Sequence, residues 1–84
     1  VSIMFDINFI MQIEYIINRL KEKGYDPYEQ LMCYVLLDGN PYYITSHGDA
    51  RSVIKELDIN DIRKYLDEKG VDWRKFLGDG KYNG

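Results

Sequence analysis

The run Leu31–Met32–Cys33–Tyr34–Val35–Leu36–Leu37 constrains this chain most, because it leaves a helix hardly any polar face. A helix that is apolar all round has to be buried all round. Its limits are marked on both sides. Gly24 suits the left-handed turn that ends an incoming helix, Asp26 is placed to cap the next, and Pro27 fits that helix's first position. Asp38–Gly39–Asn40–Pro41 then stops it. The chain has 84 residues, enough for one domain. A domain of this size buries only about 60% of the surface its unfolded form exposes. Neighbours on every side of the 27–37 helix are therefore scarce, and a second subunit would supply one. That is the sequence argument for a homodimer, with Ile13, Ile17, Tyr34 and Leu37 as the expected contact residues.

The rest of the chain also reads as helix. Phe9, Ile10, Ile13, Ile16, Ile17 and Leu20 recur at three- and four-residue spacing, which predicts a helix over about 9–23. Met11 and Tyr15 widen its apolar stripe beyond what one neighbour covers. Tyr42–Tyr43–Ile44–Thr45 is expected to run extended after the turn. Ser46 or Asp49 is expected to start a helix over 50–56, with Ala50, Val53, Ile54 and Leu57 inward. Asp58 caps the following one, Asp61 supports its first turn, and Gly70 ends it. A short terminal helix is expected over 71–77. The fold class is thus all-α, a bundle of about five short helices in a closely packed or intertwined homodimer. Residues 1–8 form an N-terminal arm, 9–77 the helical domain, and 78–84 a flexible, glycine-rich tail.

Little in the chain is arranged for catalysis. His47 is the only histidine and Cys33 the only cysteine, too few for a closed zinc site. Cys33 sits among leucines, which favours the neutral thiol. Pairs such as Asp58 with Asp61, or Asp67 with Glu68, lie at helix ends, where carboxylates cap and are solvated. Neither a dinucleotide nor a P-loop glycine pattern occurs. The expectation is a non-enzyme with no catalytic, cofactor-binding or metal-binding residue. The formal net charge of −3 argues against a nucleic-acid protein. No stretch is apolar for long enough to cross a bilayer. The lone cysteine fits a reducing compartment, and the chain reads as cytoplasmic. Arg51 and Lys55, four residues apart on one helix, are the candidate pair for a phosphate or an acidic partner. A helix–turn–helix with Arg51, Ser52 and Lys55 on a recognition helix gives the alternative, a small DNA-binding or transcription-associated module.

Three segments in order carry a family resemblance: Lys23–Gly24–Tyr25–Asp26–Pro27 with Gln30 and Tyr34; Asp38–Gly39–Asn40–Pro41–Tyr42–Tyr43–Ile44; and Ala50–Arg51 with Ile54–Lys55. In these the chain resembles the IreB-like family, small cytoplasmic proteins of low-GC Gram-positive bacteria, over roughly residues 16–66. The resemblance implies a helical homodimer acting as a regulatory phosphoprotein. It also implies as partners a transmembrane Ser/Thr kinase with extracellular cell-wall-sensing repeats and its phosphatase, in envelope-stress and antibiotic-resistance signalling. In one member of the family the phosphorylated threonines lie in the N-terminal arm. Here the comparable hydroxyl is Ser2, and no threonine precedes Thr45.

Overall fold

The computed structural model describes residues 5–71. Four α-helices follow one another, α1 (Ile7–Glu22), α2 (Pro27–Leu36), α3 (Ala50–Ile54) and α4 (Ile59–Glu68), with two 3-10 turns, Pro41–Tyr43 and His47–Asp49, between α2 and α3. Residues 1–4 of the expected arm, Ser2 among them, the expected terminal helix beyond Val71 and the tail over 78–84 lie outside the described residues, while residues 7–8 of the expected arm belong to α1. Among the described residues there are no strands.

The junction between α1 and α2 is built as its residues dictate. Asp6 caps α1, its side chain accepting from the Asn8 amide at 3.4 Å. Gly24 takes φ +83, and the amides of Gly24 and Tyr25 donate to the carbonyls of Lys21 and Leu20, both at 3.0 Å. Those two bonds are the Schellman closure, and an L side chain at Gly24 would strain it. Asp26 then accepts from the amides of Tyr28 at 3.1 Å and Glu29 at 3.3 Å, and Pro27 occupies the first turn. The orphan donors at the start of α2 are thereby satisfied by a residue only four positions past the end of α1.

Leu31 through Val35 are all buried, and the neighbours that bury them come from the same chain. α2 packs against α1, α4 and the first 3-10 turn, while α1 packs against α2 and α3. Ile44 lies extended between the 3-10 turns and is fully buried in this core. Leu36 and Leu37, at the end of α2, stay half-buried. An aromatic cluster ties the start of α1 to α4: the Phe5 ring stacks on Phe9 at 5.2 Å, and both meet Tyr65 edge-on, at 5.9 and 6.1 Å.

Two local expectations are corrected. Pro41, Tyr42 and Tyr43 form a 3-10 turn rather than an extended run, because Pro41 brings a helical φ and Asn40 caps the Tyr42 amide at 3.0 Å. Only Ile44 continues extended. α3 does start at Ala50 directly after Asp49, but neither Ser46 nor Asp49 caps through its side chain, and Asp49 takes a left-handed φ of +61. The helix that follows is shorter than expected and ends at Ile54.

Candidate functional site

The surface around α3 carries the most pointed arrangement of expected site residues. Arg51, near the start of α3, donates from Nε to the Ile44 carbonyl at 3.0 Å. This bond fixes the guanidinium by one edge and leaves its other N–H groups for an outside acceptor. Its central carbon lies 5.8 Å from the centre of the Tyr42 ring, and Tyr42 is 83% exposed. Pro41, Tyr42 and Arg51 line an open cleft of about 260 Å³. Lys55 is exposed one turn further on, and neither cation has a carboxylate partner among the described residues. The side chains that expose an aromatic beside a guanidinium are those enriched in protein contact sites.

Next to this face is a latch that the sequence reading did not find. The His47–Asp49 turn is clamped onto α1. Tyr15 donates its hydroxyl hydrogen to the Gly48 carbonyl at 2.6 Å. Glu22 accepts from Arg19 at 2.6 Å and pairs with His47 Nε2 at 2.7 Å, so one carboxylate joins the helix to the turn. The Arg19 guanidinium lies over the Tyr15 ring at 4.6 Å. His47 is exposed and bound to Glu22.

The His47 hydrogen bond, with help from the Arg19 charge, holds the Glu22 carboxyl below its ordinary value of 4.5. A carboxyl whose pKa is depressed in the folded state gives stability that is present above the unfolded pKa and is lost as pH falls through the folded one. The wild-type chain should therefore lose stability as acid is added below about pH 4.5. Glu22→Gln should flatten that part of the curve. The check is thermal melting between pH 6 and 3 for both proteins, comparing how steeply each loses stability with falling pH. Equal slopes would mean that the latch carboxylate takes no part.

Of the four residues expected at a subunit contact, three take up their contacts inside one chain. Ile13 is 0%, Ile17 5% and Tyr34 6% exposed, and all three belong to the core cluster. Burial also pushes the Tyr34 phenol above its usual pKa. Leu37 remains half-exposed. Among the described residues, the large apolar side chains left outside are Ile7, Met11 and Tyr15 on α1, with Tyr25 and Tyr42. Ile7, Met11 and Tyr15 are spaced by four, so they form one stripe along α1.

Cys33 is buried in the core. Asp58 is a helix cap, accepting from the Asn60 amide at 2.8 Å. Among the described residues no three His, Cys, Asp or Glu side chains gather as a metal site would require, and no helix is long and apolar enough to cross a membrane.

Fold and surfaces together define a small helical protein whose polar side chains cap, latch and face outward. Over residues 6–71 the chain matches the family described as IreB regulatory phosphoprotein, and it belongs to that family. It is also 46% identical over 54 residues to a protein of Acetivibrio thermocellus called UPF0297 protein, a match covering 58% of this chain and 59% of that one. The matched segment thus spans about three fifths of the relative's length. The matched family is a regulatory one, which agrees with the regulatory reading taken from the three sequence segments.

Proposed function

We propose that this chain is a non-enzymatic cytoplasmic regulator that is switched by phosphate. In this reading a transmembrane Ser/Thr kinase adds the phosphate at Ser2, a phosphatase removes it, and the signal concerns envelope stress and antibiotic resistance. What carries the reading is the match to a regulatory phosphoprotein family over the whole described helical unit. The Arg51 face supports it from the chemistry side. A guanidinium held at one edge, beside an exposed tyrosine and a free lysine, suits an acidic or phosphorylated partner. The functional unit is a homodimer, joined through Leu37 and the Ile7–Met11–Tyr15 stripe rather than through side chains already in the core.

The test is to incubate the full chain with ATP and a kinase-bearing membrane fraction from its own cells, then to map phosphate by mass spectrometry. Phosphate on Ser2 is expected. Phosphate confined to Thr45 or Ser46, or none, would sink the kinase-substrate reading. Sedimentation of the same sample at micromolar concentration should give the mass of two chains, and a clean monomer would remove the dimer.

A further inference from the structure

Lys21 in the last turn of α1 and Lys69 at the end of α4 are far apart in sequence, yet they line one cleft of about 290 Å³. Asn18, Tyr28, Tyr65 and Glu14 complete its polar wall. The Lys69 ammonium lies 5.2 Å from the centre of the Tyr65 ring. Burial raises the Tyr65 phenol pKa, while the nearby Lys69 charge pulls it down and Tyr28 and Glu14 push it up, so these groups converge at one place. Both lysines are exposed, and neither forms an ion pair with a described carboxylate. The cleft therefore presents two ammonium groups, two phenol donors and an amide against one carboxylate. That donor set matches a doubly charged oxyanion, which offers several strong acceptors at once.

The position of this cleft points to its occupant. A second cleft of about 300 Å³ shares Glu14, Tyr65 and Lys69 with it, and is closed at its other end by Phe5 and Ile10. Phe5 is stacked on Phe9 and set against Tyr65, so the chain enters the described fold at the rim of the lysine site. Ser2 is three residues upstream of Phe5. Three extended residues reach about 10 Å, and a phosphoserine side chain adds a little more. Glu68, on the rim of the second cleft, and Glu14 are the carboxylates such a group would pass.

We infer that Lys21 and Lys69, with the phenols of Tyr28 and Tyr65, form a receptor site for a phosphomonoester, and that the chain's own phosphorylated Ser2 fills it. The choice of occupant rests on the regulatory reading above; the existence of the site does not. Phosphorylation then pins the arm along the α1–α4 groove by charge-assisted bonds, without any change in the helical core.

Two experiments separate these halves. In the first, inorganic phosphate and then O-phosphoserine are titrated into the unphosphorylated full chain, followed by NMR. Saturable shifts at Lys21, Lys69, Tyr28 and Tyr65 are expected at millimolar concentrations, lost in the Lys21→Gln/Lys69→Gln double variant and tightened several-fold by Glu14→Gln. Both lysines are exposed, so circular dichroism should report an unchanged fold. No saturable shift up to about 50 mM, an affinity below roughly 2 kcal/mol, would overturn the site whatever any kinase does. An unchanged titration in the double variant would overturn it equally. In the second, the chain is made by semisynthesis with phosphoserine at position 2. Its cleft should no longer respond to added phosphate, and its phosphorus resonance should move to the free-phosphoserine position in the double variant. A phosphorylated chain that binds added phosphate as the unmodified one does would overturn the arm as occupant.

Discussion

Replacing Ile13 with alanine is expected to cost about 2–5 kcal/mol of folding stability. The side chain is 0% exposed at the centre of α1, so its loss removes buried apolar surface and leaves a cavity that packed helices fill only in part. A domain this small has a net stability of about 5–15 kcal/mol, and the variant loses a large part of it. Urea unfolding should show a midpoint well below wild type with an unchanged slope. Met11→Lys, two residues away but on the outer stripe and 64% exposed, gives the contrast. It should shift stability by no more than about 0.5 kcal/mol while weakening self-association measured by sedimentation. An Ile13→Ala chain that melts like wild type when concentrated and separates from it only on dilution would place Ile13 at a subunit contact after all.

That pair of variants also marks where reading the sequence stopped. Period and polarity identify Ile13 and Ile17 as inward-facing, and they are. They do not say whether "inward" means toward another helix of the same chain or toward a second chain. The same ambiguity governed α2. Its wholly apolar run had to be buried, and α1, α4, the first 3-10 turn and Ile44 bury residues 31–35 from within one chain. The ends of α2 were legible for a different reason. Asp26, Pro27 and Gly24 act over three or four residues, so their effect is written next to the cause. The Asp58 cap was equally local and equally legible.

What could not be read is what depends on distant neighbours. Tyr43 carries a strand-like composition, but the Asn40 cap and Pro41 impose a 3-10 turn before that propensity can act. Arg19 and Glu22 look like an ordinary solvated helix face, and Tyr15 like a widening of the apolar stripe. Only the folded chain brings Gly48 and His47 onto them. Lys21 and Lys69 had no signal at all, since neither belongs to a basic run and their convergence needs α1 packed near α4. Arg51 was singled out by its spacing from Lys55. Its anchoring to the Ile44 carbonyl and its place beside Tyr42 come from the turn geometry that the sequence did not reveal.

Gly48→Ala is expected to be the most damaging single-methyl addition on the surface, at about 2–3 kcal/mol when αL strain of roughly 1–2 and one lost hydrogen bond of about 1 are taken together. Gly48 takes φ +58, and a Cβ there would lie 2.5 Å from Arg19 Cδ and 3.0 Å from the Tyr15 hydroxyl. The first contact makes Arg19 swing away, and the second pushes the Tyr15 hydroxyl by a few tenths of an ångström off its bond to the Gly48 carbonyl, unless the turn lifts off α1. Either way the Glu22–His47 pairing is disturbed as well. Tyr15→Phe alone should cost only about 1 kcal/mol, because it removes the hydrogen bond and leaves the turn in place. The double variant should then fall short of the sum, since the methyl group has already broken the bond that Tyr15→Phe deletes. Chemical denaturation of the three variants measures this directly. Additive losses, or a Gly48→Ala chain within about 0.5 kcal/mol of wild type, would mean that the turn is not latched to α1 through these contacts.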